Sequence, residues 1–322
     1  MSQKSDNPSI SIVVPVFNNQ ESLQILVNQV GNTLGDYSEK NKVEIIFVDD
    51  GSTDSSVEAI RSLVIPNNLR VVLAKHGTNH GQLRAIYSGF SLANSEVILH
   101  ITADLQDPPE LILDFIEEYK NGFEIVYGIR KEREDGAWRR VTSLLAYKIA
   151  RVGNPLIPRE GFDYFLISAD VKNELIKDHY QREFIQGAIL KTRSKHKGIP
   201  YTRRKREYGK SQWTFSKKAR LLADILVEST FAPIRILTSV GLIIVAITST
   251  LLLYFVILKF LGYDSFDGFT ALAFLIVALG GMNLLIVGIL AEYLIRLIKQ
   301  ISRQDLIRPV SIETVNNSWK AE

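Results

Sequence analysis

Residues 43–56 read VEIIFVDDGSTDSS, and this stretch decides the fold. Val43 to Val48 is an apolar, β-branched run without alternation, the pattern of a strand buried on both faces. It stops on Asp49-Asp50-Gly51-Ser52, a cluster of turn residues, and Asp54 is placed to cap a helix that runs through Leu63. The same unit of strand, polar turn and helix recurs on either side. Upstream, Ile10–Val16 (ISIVVPV) is a strand bounded by Asn18-Asn19, with a helix over Glu21–Leu34. Downstream, a strand over Leu69–Ala74 leads to a helix over His80–Ala93, and Val97–Ile101 ends on Thr102-Ala103-Asp104. Pro108-Pro109 opens a further helix, since proline is tolerated in a first turn. Ile125–Tyr127 is the fifth strand. This alternation predicts an α/β fold: a Rossmann-like, mostly parallel sheet covered by helices.

The rest of the chain is of a different kind. A hydrophobic fraction of 46% beside a charged fraction of 23% suggests a polar domain and a greasy one in 322 residues. Ile236–Leu258 and Phe269–Ala291 carry no charge, and each is long enough as a helix, about 34 Å, to cross a bilayer. Only a short loop with Asp264 and Asp267 separates them. Arg220 and Arg235 precede the pair, while Arg296, Lys299, Arg303 and Arg308 follow it. The positive-inside rule then puts both flanks in the cytoplasm, with a transmembrane hairpin between them. MSQKSDNPS at the start is polar and does not read as a signal peptide. Two basic amphipathic stretches, about 137–152 and 215–226, suit a membrane surface.

Net charge is only +3, but Lys191–Arg220 holds twelve Lys or Arg against the single acid Glu207. Such a block expects anionic partners. No base-reading motif accompanies it, so lipid phosphate is favoured over nucleic acid. Cysteine is absent, which excludes disulfides, thiolate metal sites and a cysteine nucleophile.

Ligands of open α/β sheets bind at the carboxyl ends of the strands. The polar residues gather there: Pro15, Phe17 and Asn19 after the first strand, Asp49 and Asp50 after the second, Thr102, Asp104, Gln106 and Asp107 after the fourth. A carboxylate at Asp50, or less clearly Asp49, can accept from a nucleobase or ribose, although turn chemistry alone also favours these residues. Asp104, with the Gln106 carbonyl oxygen, is the candidate ligand of a hard divalent cation, Mg²⁺ or Mn²⁺, against the alternative of a simple helix start. Arg130, Arg203, Arg204, Arg206 and Lys210 are candidate phosphate clamps.

At these residues the chain resembles a family-2 (GT-A) glycosyltransferase, in the branch of dolichyl-phosphate mannose synthases and bacterial polyisoprenyl-phosphate glucosyltransferases of the GtrB type. The strings that carry the likeness are SIVVPVFNNQESL, VEIIFVDDGSTDSS, ADLQDPPELI, IVYGIRKERE, GFDYFLIS, REFIQG and REYGKSQW, then PIR before the spans. The resemblance implies that Pro15, Phe17, Asn19 and Asp50 hold the nucleotide, with Asp49 and Ala103 beside them. It puts the metal on Asp104 and Gln106, and diphosphate or acceptor phosphate on Arg130, Arg206 and Lys210, with Ser211 assisting. Asp163 falls where the family has an aspartate near sugar and acceptor. Three departures stand out. Thr102 replaces the first acid of the usual Asp-Ala-Asp. Phe165 replaces an arginine, which fits the glucose side better than the mannose side. Lys75–Gly81 differs from the usual Arg-Asn-Phe-Gly, leaving His76 and His80 without a clear role.

The domain expectation is a cytoplasmic GT-A domain over 1–210, a juxtamembrane helix over 211–233, two membrane helices within 234–295 and a cytoplasmic tail over 296–322. The implied function is inverting transfer of a hexose, glucose from UDP-glucose as first choice, to polyprenyl phosphate at the inner membrane. GDP-mannose or a UDP-aminosugar is the alternative donor. A non-catalytic nucleotide-sugar-binding scaffold and a processive synthase are the other readings; two spans and no Q-x-x-R-W string speak against the last. A homo-oligomer, such as a tetramer, is part of the resemblance.

Overall fold

The computed structural model describes residues 5, 7–66, 69–130, 162–177, 185–204, 232–262, 268–301 and 307–316. The chain divides into two compact units, Met1–Leu221 with Gln304–Glu322, and Leu222–Arg303.

The first unit is an α/β sheet. Its elements are β1 (Ile10–Val16), α1 (Leu23–Ser38), β2 (Val43–Asp49), α2 (Ser56–Arg61), β3 (Leu69–Lys75), α3 (Gln82–Leu92), β4 (Val97–His100), α4 (Leu111–Lys120) and β5 (Ile125–Arg130). Then come β6 (Phe165–Ser168), α5 (Ala169–Lys177), α6 (Ile185–Lys191), β7 (His196–Tyr201) and, from the chain's end, β8 (Ser311–Asn316). The strand order is β7-β5-β6-β4-β1-β2-β3-β8. β1 pairs in parallel with β2 and β4, β2 with β3, and β5 with β7; β6 and β8 run against their neighbours. β1 and β2 are buried along their whole length, as their unbroken apolar runs require. Pro15 is accommodated because the β1–β4 ladder ends at Val13, so its missing N–H breaks no bond there.

Some boundaries move. α1 continues to Ser38 rather than stopping at Leu34, because its buried stripe runs on through Leu34 to Ser38. β5 extends past Tyr127 to Arg130, held by pairing with β7 along its full length. β8 is a strand beyond those the sequence predicts: the segment after the second span, expected as a cytoplasmic tail, covers the β3 edge. An open edge presents unpaired N–H and C=O groups, and Lys75, Ala74 and Leu73 find partners in Ser311, Ile312 and Glu313.

The second unit is a helical hairpin, α7 (Ala232–Phe260) and α8 (Gly268–Ile301). Within it, Thr238–Leu258 and Leu272–Ala291 have mean hydropathies of 2.6 and 2.5 and are long and apolar enough to cross a membrane. Leu242, Ile243, Leu253, Leu275 and Ile276 are exposed, unlike the side chains of a buried core helix. Glycines bring the two backbones together: a Cβ on Gly241 would lie 2.9 Å from the Leu285 nitrogen.

Candidate active site

The site is built on the carboxyl edge of the sheet, where strand order reverses around β1. Two loops meet first. Asn18, at a left-handed φ of 56°, turns its carboxamide oxygen to the Thr53 N–H at 2.8 Å, while its own N–H donates to the Ser52 hydroxyl. The Asn19 N–H donates to the Ser56 hydroxyl at 2.9 Å, and the Asn19 carboxamide oxygen accepts from the Phe17 N–H. These bonds hold the loop after β1 against the turn after β2. Phe17 and Asn19 are half-buried at its lip, and Pro15 lies buried behind them.

Asp49 and Asp50 differ in environment. The Asp49 carboxylate accepts from the Ser52 N–H, a local turn role. Asp50, 2% exposed, is gripped by three donors: His76 Nδ1 at 2.8 Å, the His80 N–H at 2.9 Å and the Gly81 N–H at 2.7 Å. A carboxylate has about four acceptor positions, so Asp50 retains capacity for a ligand hydroxyl or N–H. Gly51 permits the close approach of the 76–81 loop. Its φ is +72°, and a Cβ there would stand 2.7 Å from the Thr78 carbonyl carbon.

The loop after β4 is the second half. Leu105 has φ +59°, a strained backbone for a non-glycine residue, but its side chain is locked in the core at 4% exposure. Ser22 holds the Ala103 carbonyl at 2.6 Å. Thr102 lies between two carboxylates, its hydroxyl 2.7 Å from Asp104 Oδ1 and 2.8 Å from Asp107 Oδ2. The hydroxyl thus occupies the place where a third acid would repel both. Among the described residues no three His, Cys, Asp or Glu side chains gather as a metal cluster. The oxygen donors of Asp104 and Gln106 nevertheless fit a hard cation that draws its remaining ligands from phosphate and water.

From Asp107 the network crosses to β7. The Tyr201 hydroxyl donates to Asp107 Oδ1 at 2.7 Å, and Arg203 Nε lies 3.5 Å from the same oxygen. Gly128 makes room for the tyrosine, since a Cβ there would meet its ring at 2.6 Å. The Arg204 N–H donates to the Gln106 carbonyl at 2.9 Å, and its guanidinium clasps Glu110.

Asp163 enters the same edge because β6 runs antiparallel and begins where its neighbours end. Arg130, the last residue of β5, pairs with Asp163 Oδ2, and the Gln186 carboxamide donates to Oδ1 at 3.0 Å. Partial desolvation works against the charge of the half-buried Asp163 carboxylate, but the guanidinium groups of Arg130 and Arg203 outweigh it and hold its carboxyl below the ordinary aspartate value. Burial likewise works against the Arg130 cation, and Asp163, Tyr201 and Asp107 more than offset it. Nε of Arg130 and of Arg203 are buried and have no hydrogen-bond partner among the described residues.

Of the expected site residues, Asp104, Gln106, Ala103, Arg203, Arg130 and Asp163 join one connected network. Asp50 with Pro15, Phe17 and Asn19 forms the adjoining loop pair. Arg206, Lys210 and Ser211, and both basic amphipathic stretches, lie outside the described residues. Phe165 is no site residue; it is fully buried against His100 and Phe162. Tyr201, Asp107 as its acceptor, Gln186 and His76 are participants that the sequence did not single out for these roles. Gln186 had a signal in the REFIQG string; Tyr201 had none.

An open, mostly parallel sheet with acidic loops after β2 and β4 and arginines on the same edge is the architecture of a GT-A glycosyltransferase. Residues 11–176 match the Glycosyl transferase family 2 pattern, and the chain belongs to that family. It is 30% identical over 294 residues to an uncharacterized glycosyltransferase, YkcC, of Bacillus subtilis, covering 89% of this chain and 88% of that one. It is 29% identical to the prophage bactoprenol glucosyl transferase homolog of Escherichia coli, over 88% of this chain and 93% of the relative. It is 27% identical to the undecaprenyl-phosphate 4-deoxy-4-formamido-L-arabinose transferase of Yersinia enterocolitica, over 100% of both. In fold it is similar to glucosyl-3-phosphoglycerate synthase from Mycobacterium tuberculosis, solved with Mn²⁺ and UDP-glucose. That likeness has a TM-score of 0.50 at 13% identity, covering 68% of this chain and 77% of the other.

Proposed function

We propose that this enzyme transfers a hexose, glucose from UDP-glucose as first choice, to the phosphate of a polyprenyl phosphate, with inversion at the anomeric carbon. The observation that carries the reading is the gathering of Arg130 and Arg203 on this edge, with the Nε of Arg130 buried and without a hydrogen-bond partner among the described residues. A buried guanidinium N–H without an acceptor is costly, and an anionic ligand would complete it. Arg203 faces Asp107, in the loop that carries Asp104, which suits a diphosphate leaving group or an acceptor phosphate. The names of the bactoprenol and undecaprenyl-phosphate relatives support a lipid phosphate acceptor.

In this reading Asp50 takes the nucleotide's polar edge, with Pro15, Phe17, Asn19, Asp49 and Ala103 around it. Asp104 and Gln106 hold Mg²⁺ or Mn²⁺, which supplies positive charge to the leaving diphosphate. An acceptor phosphate oxygen forms the new bond to the anomeric carbon. The bond from that carbon to the diphosphate oxygen breaks, and its electron pair departs with the nucleotide. A phosphate monoester is largely ionised at neutral pH, so no general base has to remove a proton from it. The chain therefore contributes orientation and charge: Arg130, Arg203, Arg206 and Lys210 on phosphate oxygens, Ser211 beside them, and Asp163 on sugar or acceptor.

The hairpin fits an acceptor whose head stays at a membrane surface. Because β8 pairs with β3, the chain after the hairpin returns to the side of the sheet, which supports two crossings with both flanks in the cytoplasm. A homo-oligomer, such as a tetramer, belongs to the same reading. The test is a screen of UDP-glucose, GDP-mannose and UDP-aminosugars against undecaprenyl phosphate in detergent, with and without Mg²⁺ or Mn²⁺. Radiolabel entering the lipid phase, and its loss in Asp104→Ala and Lys210→Ala, supports the assignment. No labelled lipid from any donor would favour a nucleotide-sugar-binding scaffold instead.

A further inference from the structure

A chain of hydrogen bonds secures Asp50 from its protein side. His76 is wholly buried. Its Nδ1 meets Asp50 Oδ1 at 2.8 Å, and its Nε2 meets the Ser88 hydroxyl at 2.9 Å. Ser88, also wholly buried, lies on α3 and donates to the Ile307 carbonyl at 2.8 Å. Ile307 belongs to the segment just before β8, and Val310 continues the docking through its N–H to the Lys75 carbonyl at 2.7 Å. An unbroken relay thus runs from the C-terminal segment through Ser88 and His76 to Asp50.

We infer that His76 is a positioning residue of the donor site, fixing the Asp50 carboxylate for nucleotide, and that the C-terminal segment completes it through Ser88. The inference rests on the reading of Asp50 as a nucleotide-binding carboxylate. Ionised, that carboxylate only accepts hydrogen bonds, so Nδ1 of His76 carries a proton and donates. A carbonyl also only accepts. Ser88 gives its hydroxyl proton to Ile307, and its oxygen stands 2.9 Å from Nε2 of His76. Docking of the segment therefore determines how the imidazole is held from behind. With the ring fixed at both nitrogens, Oδ1 of Asp50 cannot rotate away, while the Gly81 N–H holds Oδ2. Without the relay the carboxylate keeps two backbone donors but loses its side-chain anchor.

The experiment is titration calorimetry of UDP and GDP on the full chain in detergent micelles, with steady-state transfer kinetics alongside. The variants are Asp50→Asn, His76→Leu, His76→Asn and Ser88→Ala. The nucleotide that wild type binds is the probe. His76→Leu is expected to weaken it about tenfold, the scale of one charge-assisted hydrogen bond, with kcat at saturating donor nearly unchanged. His76→Asn, whose amide nitrogen can replace Nδ1, should recover binding to within about threefold. Ser88→Ala, a small change in a helix, should weaken binding about threefold through the same KM effect. If Asp50→Asn weakens the nucleotide but the His76 and Ser88 variants bind as wild type, the inference fails and the reading of Asp50 stands. If Asp50→Asn has no effect, or neither nucleotide binds wild type, that reading fails first. An asparagine variant as impaired as the leucine one would reduce His76 to a packing role.

Discussion

Tyr201 and Asp107 meet at 2.7 Å, the tyrosine hydroxyl donating to a carboxylate that solvent does not reach. The contact joins the end of β7 to the loop after β4, two segments 94 residues apart in the chain. Burial, then the nearby Asp107 charge, pushes the phenol well above its usual value, so Tyr201 remains a donor across the physiological range. Asp107 in turn is one of the two carboxylates spanned by Thr102. Tyr201 therefore secures the loop after β4 from behind. Tyr201→Phe should lower kcat about tenfold, since a buried carboxylate loses a strong donor, while donor affinity changes little. A rate equal to wild type, measured by labelled lipid formation, would remove Tyr201 from this role.

Thr102 makes the opposite test, because it can be returned to the acid more usual in the family. A carboxylate beside Asp104 and Asp107 adds a third negative charge that only a cation relieves. Thr102→Asp should lower the Mn²⁺ concentration needed for half-maximal rate by about tenfold. The same variant should melt at a lower temperature than wild type in EDTA, and the difference should shrink when metal is added. A variant with unchanged metal response would place the ion away from Asp104.

Arg130 and Asp163 form a pair of unequal exposure, with side chains 6% and 38% exposed. Removing the arginine frees Asp163 from its strongest counter-charge and deletes the buried Nε donor proposed for phosphate. Arg130→Ala should reduce turnover about a hundredfold or more. Arg130→Lys should recover only part of this, because a point charge cannot bind Asp163 and phosphate with two separate forks. Full recovery by lysine would show that charge alone suffices there.

The sheet was readable in the sequence because its strands are buried on both faces. ISIVVPV and VEIIFV allow no other reading once each is followed by a polar turn. Asp50 and Asp104 were readable for the same reason, as acids at strand ends. β8 was not: SIETVN is short, half polar and exposed, and only the open β3 edge gives it a reason to be a strand. Tyr201 was hidden because its role depends on Gly128 in another strand leaving room for its ring. His76 stood in a loop with no local pattern, and its meaning comes from Ser88 and Ile307, which are distant in sequence.

His100 supplies a stability test that varies with pH. It is buried at the end of β4 against Phe165, with its Nδ1 at the Val13 carbonyl. Burial lowers its pKa; the Val13 carbonyl and the charges of Asp163 and Asp107 only partly oppose this. The folded chain thus keeps the ring neutral where the unfolded chain, with a value of about 6.5, takes up a proton. Its contribution is intact above that value and is lost as pH falls toward the folded one, at no more than about 1.4 kcal/mol per pH unit. His100→Gln, which does not titrate, should show a smaller drop in melting temperature between pH 7 and pH 5.5 than wild type. Equal slopes for the two proteins would mean that His100 is not the group responsible.

The direction of the hairpin can be tested because the chain has no cysteine of its own. β8 ties the segment after α8 to the sheet through β3, so that segment and the sheet share one side of any membrane that the hairpin crosses. The loop carrying Asp264 would then face the other side, and the arginines flanking the spans would face the cytoplasm. In spheroplasts, a cysteine at Asp264 should react with a membrane-impermeant maleimide. A cysteine at the exposed Val64, on the sheet side, should react only after lysis. A third at Ile312, also exposed in β8, should follow Val64. Labelling of Ile312→Cys in intact spheroplasts would contradict both the two-crossing topology and the docking of β8 on β3. Labelling of none of the three before lysis would contradict the crossing alone, leaving the hairpin in one leaflet.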